Sequence, residues 1–336
     1  MSRPLVTQAF PMLHDDGDAL LREHAEVRTL SSLDPETVVA ESAGAVAIIA
    51  RTPARIDGPM LDALGDIRVL SATGSGADCF DVKAASERGI PVLHNPGVAP
   101  TPIVEYALGA MIAVSKGLRF ADAEVRSGGS WEPKIRFRGR EVSGKVLGVV
   151  GLGHIGRDVA RRANAGFDMT VLGFDPAVDD EQCAAWGVER CTLSDLLARA
   201  DIVSLHVPLI DATRHLISTD ELALMRPGTI LINASRGGVV DEAALVDALE
   251  RDHLHGAAVD VFETEPTTAA HPLTRFPNVL LSPHVAGLSE EATRNLSLAV
   301  ARNLIAALGG DRPPHLVDPS AWPPARRAAP ARSATS

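Results

Sequence analysis

Lys145-Val146-Leu147-Gly148-Val149-Val150-Gly151-Leu152-Gly153-His154-Ile155-Gly156 is the stretch that decides the fold of this 336-residue chain. Val146 to Val150 is a short, β-branched apolar run of the kind expected for a parallel strand buried on both faces, and it leads directly into Gly-x-Gly-x-x-Gly. Gly151 permits a tight turn out of the strand, Gly153 lets the backbone approach a pyrophosphate, and Gly156 lets the next helix pack close. That helix, continuing over residues 157 to 166, would present the free N–H groups around His154 and Ile155 to the phosphates. A second apolar run, Met169 to Phe174, ends at Asp175, nineteen residues after Gly156, where an acid would bond the ribose 2′-hydroxyl. A carboxylate there repels a 2′-phosphate, and Pro176-Ala177-Val178 offers no arginine, so the expected cofactor is NAD rather than NADP.

Working outward, the same βα rhythm fills both sides of this unit. In the first hundred residues, apolar runs at Leu5-Val6, Ala45 to Ala50, Ile67 to Leu70 and Ile90 to Leu93 alternate with helical patterns at 16–24, 35–42, 57–64 and 80–88. This reads as a small doubly wound domain without a glycine fingerprint, assigned to the substrate side. Two of its loops, Thr73-Gly74-Ser75-Gly76-Ala77-Asp78 and Asn95-Pro96-Gly97-Val98, follow strands on the side where ligands gather in open parallel sheets. The amides around Ser75 and Gly76 read equally as an anion nest for a carboxylate or as a plain turn. Residues 101 to 125 read as one long crossing helix, with Thr101 as N-cap and Pro102 at the first position. An arm around Trp131 follows, a packing plug or an interface anchor. After Asp175, strands are expected at 201–205, 229–232, 256–261 and 279–281, giving six with Val146 and Met169, and a second long helix at 288–308. The expected division is 1–100 with 288–324 for substrate and 101–287 for NAD. Residues 325–336, rich in Pro, Ala and Arg, are expected to be disordered.

Composition narrows the function classes. With 46% hydrophobic and 22% charged residues, the chain has the make-up of a soluble globular protein, and no apolar run approaches the roughly 20 residues a membrane helix needs. The first thirteen residues lack the apolar core of a signal peptide, so a cytoplasmic address is expected. A formal net charge of −11 argues against a nucleic-acid partner. Cys79, Cys183 and Cys191 have neither metal nor redox spacing and read as core or surface thiols, with no metal expected.

Three polar groups stand at the ends of strands in the cofactor half: Arg236 after Ile232-Asn233-Ala234-Ser235, Glu265 in Asp260-Val261-Phe262-Glu263-Thr264-Glu265-Pro266, and His284 in Ser282-Pro283-His284-Val285-Ala286-Gly287. Hydride transfer to a 2-oxo acid needs a cation to grip the carboxylate and an acid to protonate the new alkoxide. Arg236 suits the grip through its bidentate fork, and His284 suits the acid, with Glu265 favouring its imidazolium form.

These blocks, with Gly151 to Gly156 and Ser204-Leu205-His206-Val207-Pro208-Leu209, resemble the signatures of the D-isomer-specific 2-hydroxyacid dehydrogenases over about residues 40 to 310. Within that family the chain is most similar to the short phosphoglycerate type. The resemblance implies an α/β fold of two doubly wound parallel-sheet domains, a flavodoxin-like substrate domain and a Rossmann NAD domain. It makes Arg236, Glu265 and His284 the catalytic set and places His206, Pro208, Ala234, Asp260 and Gly287 along NAD. Read from the residues, Arg236 with the Ser75 and Gly76 nest would bind the substrate carboxylate, and the resemblance further places Arg51 or Arg55 near a substrate phosphate. A homodimer through the NAD domain, with Trp131 at the interface, is also implied. Glu105-Tyr106 stands where many relatives have Glu-His, so a role resting on that His does not carry over. Glyoxylate or hydroxypyruvate reduction, and an NADH-sensing corepressor that binds peptides, are the alternatives within the same fold.

Overall fold

A computed structural model describes residues 3–128 and 139–325. Contacts divide the chain into two compact units, Met1–Ala99 with Ser289–Ser336, and Pro100–Leu288. Trp131 and residues 326–336, and with them the expectations of an interface anchor and a disordered tail, lie outside the described residues.

The first unit is a parallel sheet of five strands: β1 (Leu5–Gln8), β2 (Glu26–Thr29), β3 (Ala45–Ala50), β4 (Val69–Ala72) and β5 (Val92–Leu93), in the order β2-β1-β3-β4-β5. This is the flavodoxin-like order. Helices α1 (Asp15–His24), α2 (Pro35–Glu41), α3 (Gly58–Ala63) and α4 (Val82–Glu87) fall close to the expected positions. Asp57 and Asp81 start α3 and α4 by accepting the N–H groups of Met60 and Ala84, which satisfies donors the helix leaves unpaired. Strand β2 was not expected. It lies at the sheet edge with only Val27 of its four residues buried, so it carries no apolar run by which to be read.

The second unit opens with α5 (Thr101–Ser115) and α6 (Leu118–Arg126). The single long helix expected here is broken at Gly117, whose backbone is left-handed (φ 58°). Thr101 is the first helical residue rather than the cap, a place taken by Pro100 without a side-chain bond. The unit then builds a seven-stranded parallel sheet from β6 (Val146–Val150), β7 (Thr170–Phe174), β8 (Glu189–Arg190), β9 (Ile202–Leu205), β10 (Thr229–Asn233), β11 (Leu254–Val259) and β12 (Val279–Leu281). Their order is β12-β11-β10-β9-β6-β7-β8. The expected six become seven because β8, two exposed residues at the edge, is too short and polar to show in sequence.

Connecting helices are α7 (His154–Phe167), α8 (Asp180–Ala185), α9 (Leu193–Arg199), α10 (Thr219–Leu224) and α11 (Glu242–Glu250), while α12 (Glu290–Gly309) belongs to the first unit. The second sheet is covered on both faces. Leu147, Val149, Ile202 and Ile232 pack with Met111 of α5 and Ala160 of α7. Val150, Leu172, Val203 and Leu231 pack with Leu197 of α9, Leu222 of α10 and Leu245 of α11. Strand order reverses between β6 and β9, which makes the ends of these strands the place where a dinucleotide crosses such a sheet. Among the described residues no helix is long and apolar enough to cross a membrane.

Candidate active site

The glycine loop leaves β6 and enters α7. Gly151 adopts φ +91°, and a Cβ there would meet the His206 carbonyl oxygen at 2.6 Å. A Cβ on Gly156 would lie 1.9 Å from the Gly151 oxygen, so α7 seats on the loop only with glycine. Gly153 is different: nothing lies within 4 Å of where its Cβ would be, which leaves its backbone open to a phosphate ahead of the N–H groups of His154 and Ile155. Asp175, beyond β7, accepts the Leu152 N–H on Oδ2 (2.8 Å) and the Ala177 N–H on Oδ1 (2.9 Å). The carboxylate thus ties the glycine loop to the end of β7 and keeps acceptor capacity for a ribose hydroxyl. The residues fit a dinucleotide.

Across the switch point, His206 follows β9 and shares a 2.9 Å hydrogen bond through Nε2 with buried Ser204. Loss of solvent pushes its pKa down to about 4, so the ring is neutral near pH 7. Pro208 is exposed, and its carbonyl is bonded by the Thr213 hydroxyl; Ala234 is buried just after β10.

Arg236 stands in the turn after β10, half-buried. Asn233 braces this turn, its side chain donating to the Arg236 carbonyl (2.9 Å) and accepting from Ser235 N and Oγ. A Cβ on Gly237 would lie 2.0 Å from the Phe262 backbone, so glycine lets the arginine turn rest on the segment leading to Glu265. His284, in the turn after β12, has Nδ1 2.8 Å from Glu265 Oε2. Burial by itself would raise the Glu265 carboxyl. Hydrogen bonds from His284 and the Phe262 N–H, with the charges of His284 and Arg236, outweigh it and hold the group below its ordinary value. An ionised Glu265 fixes the ring orientation through that bond. Arg236, Glu265 and His284 are therefore brought to one place at the strand ends.

Asp260, buried after β11, organises the histidine turn: Oδ1 accepts Val285 N (2.9 Å), Oδ2 accepts Ala286 N (2.9 Å) and its carbonyl accepts His284 N (2.7 Å). Gly287 closes the turn against Ile103 of α5. Ser204, Asn233 and Ser282, unmarked in sequence as site residues, lie within the motifs that carry His206, Arg236 and His284. Their signal was a polar residue at a strand end, where a bond back to the turn is needed. Among the described residues no group of three or more His, Cys, Asp or Glu is arranged to hold a metal ion.

In the first unit Ser75 is exposed, its carbonyl 2.9 Å from His94 Nδ1. Gly76 follows, half-buried, in the loop braced by the Asn95–Gly74 backbone bond (2.8 Å). Arg51 follows β3 half-buried, its guanidinium 4.6 Å over the Phe10 ring and one N–H on the Pro11 carbonyl (3.1 Å). Arg55 is exposed.

Fold and site together define a dinucleotide-binding oxidoreductase architecture with an arginine, a glutamate and a histidine at its strand ends. Residues 108–286 match the family model described as D-isomer specific 2-hydroxyacid dehydrogenase, NAD binding domain. A glyoxylate reductase of Thermofilum pendens is 38% identical over 328 residues, covering 95% of each chain. A D-3-phosphoglycerate dehydrogenase of Methanocaldococcus jannaschii is 36% identical over 307 residues, 91% of this chain and 58% of that one; the chain thus spans a little over half of that relative. Among solved structures, the TT0316 protein of Thermus thermophilus superposes with a TM-score of 0.84 at 33% identity, covering 94% of this chain and all of that one. The chain belongs to the D-isomer-specific 2-hydroxyacid dehydrogenase family, and its second unit is an NAD-binding domain.

Proposed function

We propose that the protein is an NAD-dependent oxidoreductase that interconverts a D-2-hydroxy acid and its 2-oxo acid. The observation that carries the reading is the 2.8 Å bond between His284 Nδ1 and an ionised Glu265, with Arg236 close enough for its charge to act on that carboxylate. Bound NAD supplies or accepts the hydride. In the reduction direction, His284 releases a proton from Nε2 to the oxygen on C2 while its Nδ1–H stays on Glu265 Oε2. In the oxidation direction the neutral ring takes that proton back. Glu265 stabilises the charged ring and Arg236 grips the C1 carboxylate through two parallel hydrogen bonds. In the first unit, the Ser75 and Gly76 amides are a candidate nest for a substrate anion.

For the substrate we favour a 2-hydroxy acid with a second anionic group at C3, such as 3-phosphoglycerate. Arg51 supports this reading. Burial lowers its pKa somewhat, yet a guanidinium remains charged, and stacking on Phe10 presents the fork ready for an anion. Glyoxylate or hydroxypyruvate reduction is the second reading, supported by the full-length likeness to the Thermofilum pendens reductase. An NADH-oxidation assay over a panel of 2-oxo acids, run beside NAD reduction with 3-phosphoglycerate, separates them. Turnover with NADPH and none with NADH would overturn the role given to Asp175.

The assembly we propose is a homodimer through the second unit. Helix α6 has no buried side chain, with Leu118 51% and Val125 73% exposed, an apolar pair that suits a second copy. Light scattering should give twice the chain mass, and Val125→Asp should halve it; a monomeric wild type would refute the dimer.

A further inference from the structure

The histidine turn is tied to a side chain that the chemistry above does not use. Tyr106 lies half-buried in α5, its hydroxyl 2.6 Å from Ser282 Oγ. Ser282 in turn donates to Asp260 Oδ1 at 2.5 Å. A serine has one proton to give, and this one is committed to the carboxylate, so Tyr106 is the donor in the first bond. Burial raises the phenol above its ordinary value and keeps it protonated for that role. The result is a directed chain, Tyr106 O–H to Ser282 O–H to Asp260, in which each bond polarises the next.

The end of the chain is where position matters most. Asp260 accepts the N–H groups of His284, Val285 and Ala286, three successive residues. Within them His284 has φ +55°, a left-handed backbone that a residue with a Cβ adopts only when its surroundings impose it. The direction in which the imidazole leaves the backbone therefore depends on how firmly Asp260 is held. Its carboxylate is set on one side by the turn's own amides and on the other by Ser282. Ser282 can offer its proton to Asp260 in one fixed rotamer because Tyr106 occupies its acceptor side. A phenylalanine would fill the same space without making that bond.

We propose that Tyr106 is a positioning residue for proton transfer, acting through Ser282 and Asp260 to hold the His284 turn so that the imidazole meets Glu265. The inference rests on the dehydrogenase reading above. Tyr106→Phe should lower kcat about tenfold, the worth of one buried hydrogen bond, and leave the Kd for NADH, read by fluorescence, unchanged. Because the tyrosine acts through the serine, Tyr106→Phe with Ser282→Ala should be no slower than Ser282→Ala alone. Ser282→Thr, which keeps a hydroxyl, should recover most of what Ser282→Ala loses. In the protein without substrate or cofactor, the His284 ring resonance, identified by its loss in His284→Gln, should shift or broaden in Tyr106→Phe. Wild-type kcat together with an unmoved His284 resonance in Tyr106→Phe overturns the proposal, as does a double variant slowed by the product of the single effects. If Tyr106→Phe does not fold, equal rates for Ser282→Ala and Ser282→Thr overturn it and a slower alanine supports it. A wild type that reduces no 2-oxo acid removes the dehydrogenase reading alone, since the resonance is read without turnover.

Discussion

The polar groups of the two units are held in different ways. In the second unit, Asp175 binds two backbone amides, Asn233 braces the Arg236 turn, and Asp260 clamps the His284 turn. Each side chain given a role in the proposal above rests there on a buried or half-buried neighbour whose own geometry is set by a strand end. In the first unit, Ser75 is exposed on a loop held by His94 and Asn95, and Arg51 leans on one aromatic ring and one carbonyl. Moving a proton and seating a cofactor tolerate little displacement, and the residues proposed for those tasks are the ones built into rigid turns. Selecting among 2-oxo acids, the task proposed for the first unit, asks only for charge and room, and loops suffice.

Variants on the two sides should therefore differ in the kind of effect as well as its size. The largest loss is expected for His284→Gln: general acid–base catalysis is worth about 100- to 10,000-fold, and kcat should fall within that range while NADH still binds. Turnover at the wild-type rate would remove His284 from the mechanism. Arg236→Gln comes next, with kcat/KM down about a hundredfold as the charge-assisted pair with the carboxylate is lost. Its effect should be the same for every 2-oxo acid, since all share that group. Arg51→Ala should raise KM about tenfold for 3-phosphoglycerate and leave KM for glyoxylate where it was. Equal effects on both would show that the contrast between the units is misdrawn.

The smallest effects are on stability, and their sign follows from two shifted groups. The Glu265 carboxyl is held below its ordinary value, so its contribution is complete above about 4.3 and fades as the pH falls through the lowered folded value. Urea unfolding of wild type and Glu265→Gln should differ near neutrality and converge under acid. His206, lowered from 6.5 to about 4, takes a proton in the unfolded chain first. It therefore costs stability progressively as the pH drops between those values, and His206→Asn should flatten that limb. A steeper limb in the variant would contradict a desolvated neutral ring.

How far the sequence could be read divides along the same line. Val146 to Asp175 was legible because a dinucleotide turn demands glycine at fixed positions and an acid at a fixed distance, and few other structures make those demands together. Arg236 and His284 stood out because each lies three residues past the end of an apolar strand, and Glu265 because it is an acid in the segment that follows another. The edge strands β2 and β8 were not, because an edge strand buries one residue or none and leaves no apolar run. The break at Gly117 was missed because a glycine within an apolar helical run is also tolerated inside a helix, and only its left-handed backbone distinguishes the two. Tyr106 and Ser282 lie 176 positions apart. Nothing local in either segment announces the bond, which exists only once α5 covers the sheet.

Reduction of a 2-oxo acid with NADH carrying deuterium at both C4 positions of the nicotinamide tests the central claim most directly. Mass spectrometry and chiral analysis of the product should find the deuterium on C2 of the D-2-hydroxy acid, with the rate lost in His284→Gln. Consumption of NADH with no label on C2, or labelled product formed as fast by His284→Gln, would contradict it.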